Sequence, residues 1–209
     1  RIITGHGIDT EKFKVQSSKL KTDEEITILS VGRITPSKGH DLIIKAVSDL
    51  IKSGNNLKLK IIGGVVQDYH KTYLESLKKL SEDLNISEQV EFSGPVSYDK
   101  MPEYLEKSEI LINAVPFGGL DKVVLEAMSA GVIPITSNSA FLSVFPKEIG
   151  KDLVFKTSDF EGLKDKLKNI LDKNIYKDNN IRLELRDIVV KKHNLNNLIE
   201  RIFEEIKND

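Results

Sequence analysis

The chain has 209 residues, with 31 Lys and Arg against 32 Asp and Glu, and 39% of it is hydrophobic. That length suits one large domain, or one domain with linkers and a terminal helix, and the near balance of charge offers a nucleic-acid partner no bulk attraction. The absence of cysteine rules out disulfides, thiol catalysis and thiolate metal sites, and fits a reducing compartment. No apolar run reaches the length of a membrane span and no secretory signal is visible. Arg1 opens the chain inside a segment, RIITGHGIDTEKF, that reads as part of a longer protein.

Residues Arg1 to about Thr22 read as a short strand and a polar connector. From there apolar runs alternate with amphipathic ones. Ile26 to Val31 is a buried strand, and Ile43, Ala46, Val47, Leu50 and Ile51 recur at helical spacing. Leu57 to Ile62 is the next strand, ended by Gly63-Gly64, and Leu74, Leu77, Leu80 and Leu84 mark a second helix. Val90 to Phe92 is a short strand, and Met101, Tyr104 and Leu105 a short helix. Ile110 to Ile112 is the fourth strand, Val124 to Met128 lie on a helix, and Val132 to Thr136 is the fifth strand. Pro134 suits a sheet edge there. Leu153 to Phe155 is expected as a sixth strand. The tail is helical: Phe160 to Leu171, a break from Asp172 to Asn180, and a last helix from Leu195 to Ile206 started by Asn194.

This alternation predicts an α/β fold, a Rossmann-like, doubly wound parallel sheet of about six strands with helices on both faces. Strand-to-helix turns then gather at the carboxyl edge, where such folds bind ligands. Two of those turns are rich in glycine and charge. VGRITPSKGH places Gly32, Arg33, Lys38 and Gly39 between a strand and a helix. Arg pairs hydrogen bonds to phosphate and Lys acts as a point charge, although both residue types are most often solvated. FGGLDKVVLEAMSAGVIPITSN, from Phe117 to Asn138, puts Gly118, Gly119, Leu120, Asp121 and Lys122 ahead of a helix start, whose free amides favour phosphate oxygens. Asp121 suits an N-cap, and Lys122 either phosphate or solvent. Glu126 suits a vicinal diol, or is an ordinary helix-surface acid. Ser93 to Val96 offers backbone groups to a nucleobase edge, or is a plain turn. The four histidines have no metal-ligand spacing. His40 adjoins Lys38; His6, His70 and His193 read as surface or structural.

In these pieces the chain resembles the C-terminal, donor-binding domain of a GT-B glycosyltransferase of the large retaining family 4. GHGIDTEKF is similar to the family's "NGVD…F", and VGRITPSKGHDLIIKAV to "VGRL…KG…L..A". IIGG and VEFSGPVSYDKMPEYLEKSEILI follow in order, and then DKVVLEAMSAGVIPITSN, similar to "GLV.LEAMA.G.PVV". The resemblance spans most of Ile3 to Asn138. It implies residues 1–22 as an interdomain linker and 23–209 as a nucleotide-sugar-binding domain. Arg33 and Lys38 would hold the donor diphosphate and assist its departure. Glu126 would bind the ribose, and Gly32, Gly118, Gly119, Leu120, Asp121 and Lys122 the phosphates and sugar, with Val96 at the base. The donor implied by the resemblance is a nucleotide-diphosphate sugar, with no cofactor and no metal expected. The acceptor, a glycan or lipid, belongs to a missing N-terminal domain, towards which the last helix packs. The location implied is cytoplasmic, with that domain docking at a membrane.

One departure from the family is visible. Its motif begins with an acid eight residues before the second Glu, and here that position is Gly118. Another group, such as Asp121, then positions the sugar, or the donor chemistry differs. Two alternatives stand beside this reading: a nucleotide-sugar epimerase of the same shape, and a non-catalytic nucleotide-binding domain. A Rossmann dehydrogenase is disfavoured because GRITPSKG lacks the G-x-G-x-x-G fingerprint.

Overall fold

A computed structural model describes residues 6–14, 25–115 and 118–208. The expected strand near Ile3, most of the connector to Thr22, and Phe117 lie outside the described residues. Five strands form one parallel sheet: β1 (Ile26–Val31), β2 (Leu57–Ile62), β3 (Val90–Gly94), β4 (Ile110–Asn113) and β5 (Ile133–Thr136), in the order β3-β2-β1-β4-β5. The helices are α1 (His40–Lys52), α2 (Tyr69–Asp83), α3 (Met101–Glu106), α4 (Lys122–Ser129), α5 (Gly150–Leu153), α6 (Phe160–Asp172), α7 (Asn179–Lys192) and α8 (Leu195–Asn208).

Burial follows the order of the strands. All four residues of β4 and of β5 are buried, as are the four central residues of β1. These strands have helices on both faces and therefore read as continuous apolar runs. β2 instead alternates buried Leu57, Leu59 and Ile61 with half-buried Lys58 and Lys60, and Lys60 pairs with Glu91 of β3 at 3.2 Å. Right-handed crossovers put α1 and α2 on one face and α4 on the other. α1 packs on α2 and α6, while α4 packs on α7.

The expected sixth strand is corrected. Leu153 ends α5, and only Val154 bridges to Thr136, with the Phe155 amide donating to the Thr136 carbonyl at 3.1 Å. Pro134 explains why pairing stops there. Along β5, the amides of Ile133 and Ser137 bond inward to Glu109 and Asn113, so residues 134 and 136 face outward. At 134 that outer side has no N–H to donate, which leaves β5 as the sheet edge.

The tail contains one helix that periodicity did not mark, α7, of which only Leu185 and Val189 are buried. Asp178 starts it, its carboxylate accepting from the amides of Asn180 and Ile181. Asn194 starts α8 as expected, accepting from the Asn196 amide at 2.8 Å. Leu195, Ile199, Phe203 and Ile206 of α8 are exposed. Among the described residues no helix is long and apolar enough to cross a membrane.

Candidate donor site

β1 lies at the centre of the sheet, and the chain leaves it towards β2 on one side while β4 occupies the other. The carboxyl ends of β1 and β4 therefore flank the point where the strand order reverses, the place where folds of this kind have their ligand crevice. Both glycine-rich turns sit at this point. The turn after β1 is tight. Gly39 has φ +62°, and a Cβ on it would lie 2.8 Å from the Ala114 Cβ just beyond β4, so only glycine fits both the conformation and the space. The two turns thus abut. A Cβ on Gly63 would collide with the Gly32 carbonyl, which makes the ends of β1 and β2 equally close.

His40 is the first residue of α1, buried, and it ties this turn together. One ring nitrogen, Nε2, faces the Arg33 carbonyl at 3.2 Å, and Nδ1 faces the Ser30 hydroxyl at 3.2 Å. Nε2–H donating and Nδ1 accepting satisfies both contacts with a neutral ring. Burial pushes its pKa below the ordinary histidine value, against the pull of the Arg33 carbonyl, and the Lys38 charge adds to the lowering. Arg33 is exposed and lines a cavity of about 320 Å³ with Thr35, Ser37 and Gln67. Lys38 lays its stem along Gly32, with its Cδ 3.2 Å from where a Cβ would stand. Among the described residues neither Arg33 nor Lys38 has an acidic partner, leaving two cations for an anion.

Across the crevice, Asp121 is the N-cap residue of α4, with its carbonyl accepting from the amides of Val124 and Leu125. Its carboxylate does not cap the helix. It accepts instead from the Asn138 side-chain amide at 3.2 Å, and the same NH₂ donates to the Gly119 carbonyl at 2.9 Å. Buried Asn138 thus holds the glycine turn open while the first amides of α4 stay without a side-chain cap. Uncapped amides at the positive end of a helix favour an anion. Gly118 has φ +146°, Leu120 packs half-buried on the core, and His6 lies over the turn, its Nε2 3.8 Å from where a Gly119 Cβ would be.

Glu126 is only 6% exposed, one turn into α4. Burial raises its pKa above the ordinary carboxylate value, while the Tyr98 hydroxyl, Lys122 and Lys12 pull the other way. Val96 is half-buried after β3, and the same loop carries Tyr98 to Glu126. The structure therefore places Gly32, Arg33 and Lys38 on the turn after β1 and Gly118 to Lys122 on the stretch after β4, with Gly39 against Ala114 between them, and puts Val96 on the loop that carries Tyr98. Tyr98, Lys12, Asn138 and His6 join them without a local sequence signal. Among the described residues no group of three or more acids and histidines is placed to hold a metal.

Comparisons with known proteins bear on this arrangement. The family model for glycosyl transferases group 1 matches residues 11–186. The chain is 32% identical over 152 residues to the mouse GDP-Man:Man(3)GlcNAc(2)-PP-Dol alpha-1,2-mannosyltransferase, covering 69% of this chain and 31% of that one. It is 29% identical over 149 residues to the Mycobacterium tuberculosis GDP-mannose-dependent alpha-(1-6)-phosphatidylinositol monomannoside mannosyltransferase, covering 64% and 37%. The chain thus spans between a quarter and two fifths of the length of such relatives. Among solved structures, Anabaena HepE in complex with UDP and glucose superposes with a TM-score of 0.82 at 14% identity, covering 97% of this chain and 56% of that one. The C-terminal domain of a group 1 glycosyl transferase from Francisella tularensis gives 0.73 at 19% identity, covering 90% and 100%. These structural likenesses show the fold, one half of the GT-B shape, and the sequence match shows the family. The chain belongs to the group 1 glycosyl transferases.

Proposed function

We propose that this chain binds a nucleotide-diphosphate sugar in the crevice between the β1 and β4 turns. With an acceptor domain outside this chain, it would pass the sugar to a glycan or lipid hydroxyl with retention of configuration. The observation that carries the reading is that two cations without an acidic partner among the described residues, Arg33 and Lys38, share the carboxyl edge of the sheet with the uncapped amides at the start of α4. As the bond from the anomeric carbon to the diphosphate oxygen breaks, the leaving nucleoside diphosphate takes the electron pair and its charge grows. Fixed cations and helix amides stabilise that charge without reorganising, often the largest single contribution to catalysis. The acceptor oxygen bonds to the anomeric carbon and gives up its proton to the departing diphosphate oxygen. Glu126 takes the ribose diol, and the Val96 loop the base. No acid occupies position 118, so the sugar is positioned by groups around Gly119 to Lys122. The relatives named for GDP-mannose make GDP the first nucleotide to try.

The test is calorimetric titration with GDP, UDP and inorganic pyrophosphate. Arg33→Ala and Lys38→Ala each remove a charge-assisted contact, so each weakens the preferred nucleotide by about tenfold or more. The fold is unchanged, because neither side chain is buried in the core. Wild-type affinity in both variants contradicts the assignment.

A further inference from the structure

Asp121 stands where a helix cap stands, yet its side chain does not act as one. Its backbone is extended, at φ −69° and ψ 124°, as that of an N-cap residue is, and its carboxylate accepts from none of the amides of α4. Among the described residues the amides of Lys122 and Val123 have no acceptor. The side chain that draws the carboxylate away is Asn138, which is only 2% exposed. Its oxygen accepts from the Ala140 amide at 3.0 Å, which settles which end of the group is oxygen. The NH₂ therefore faces the glycine turn, and its two hydrogens go to the Gly119 carbonyl at 2.9 Å and the Asp121 carboxylate at 3.2 Å.

Asn138 is itself held in place. Its backbone amide donates to the Thr136 hydroxyl at 3.1 Å, and that hydroxyl donates to the Asn113 side-chain oxygen at 3.4 Å. Beside it, the Ser137 hydroxyl donates to the Val115 carbonyl at 2.8 Å. A buried polar network thus anchors one side-chain amide to the ends of β4 and β5.

We propose that Asn138 is a positioning residue for the donor diphosphate: by holding the Asp121 carboxylate against the glycine turn, it keeps the first amides of α4 free for the anion. The inference rests on the donor-site reading above. An unheld carboxylate at an N-cap accepts from the amides two or three residues on. Here it would occupy a donor that a phosphate oxygen needs and would set a like charge beside that oxygen, so capping and anion binding compete for the same groups. The pattern GLV.LEAMA, which this stretch resembles, has glycine where this chain has Asp121. A glycine brings no carboxylate to the helix start. Asp121 creates the competition, and Asn138 removes it.

The experiment is a double-mutant cycle, read by calorimetric titration of the chain with GDP, UDP and inorganic pyrophosphate. Wild type is compared with Asn138→Ala, Asp121→Ala and the double variant. Asn138→Ala is expected to weaken the preferred nucleotide and pyrophosphate alike by about tenfold or more, because a charge-assisted contact gives way to a like charge. In the Asp121→Ala background the same change is expected to cost less than about twofold, since no carboxylate remains to swing onto the amides. Circular dichroism and thermal melting check that each variant is folded. Should Asn138→Ala not fold, Asn138→Ser carries the same cycle, because its hydroxyl still accepts from the Ala140 amide. Wild-type affinity in the Asn138 variant overturns this inference and leaves the donor site standing. So does an equal loss in both backgrounds, which is what a merely structural role produces, or a loss confined to nucleotides. A wild-type chain that binds none of the three ligands overturns both.

Discussion

Glu126 is a residue that folding disfavours, and the proposed donor site gives it a ligand to bind. Its pKa in the folded chain is raised, chiefly by burial, above the ordinary value of 4.5. The native state therefore binds this proton more tightly than the unfolded state. Its contribution to stability is fully present below the unfolded value and is lost as pH rises through the folded one. Glu126→Gln removes the charge and keeps the shape. The variant is expected to melt above wild type near neutral pH, with the difference shrinking on acidification, and to bind GDP more weakly. Thermal scans at several pH values check the first part. Equal midpoints near neutral pH would mean that the carboxylate costs the fold nothing. A gain in stability with a loss of binding is the usual mark of a residue kept for its function.

At the scale of elements, the turn from β1 to α1 depends on His40, whose two ring nitrogens join Ser30 to Arg33. Its folded pKa is lowered, so its contribution is present above the unfolded value of 6.5 and is lost as pH falls through the folded one. His40→Ala opens a cavity and leaves the Ser30 hydroxyl without that partner, a cost of about 2 kcal/mol. In urea unfolding this deficit is expected to be largest above pH 6.5 and to shrink below it, because wild type alone pays for protonation. A deficit independent of pH contradicts the role given to the ring. Much of this level is legible in the sequence. Apolar runs and helical spacing mark all five strands and most helices, and Pro134 points to the edge it occupies. The same spacing overextends at Leu153 to Phe155 and passes over α7, whose two buried residues leave no readable stripe. Side chains whose partners are distant in sequence escape it altogether. Asn138 bonds to Gly119 and Asp121 through contacts that only the fold creates, and Lys12 and Tyr98 bear on the charge of Glu126 because the fold brings them near it.

On the scale of the whole molecule, the sheet order decides where chemistry can occur. The reversal beside β1 sets two turns against each other, and Gly39 and Ala114 bring them within contact. The segment 6–14 closes the third side. Ile8 bridges to Asn194 between α7 and α8, and Arg186 grips Thr10 and Phe13, so the start and the end of the described chain are tied to the same edge. A second cavity of about 440 Å³, lined by Ser137, Lys151 and Lys156, opens near the end of β5 and is a competing place for an anion. The most direct measurement is therefore a crystal structure of the chain grown with GDP. The expected result is a diphosphate between Arg33, Lys38 and the first amides of α4, with the ribose hydroxyls on Glu126. Phosphates bound beside Lys151 and Lys156, with the crevice between β1 and β4 empty, would contradict the account at its centre.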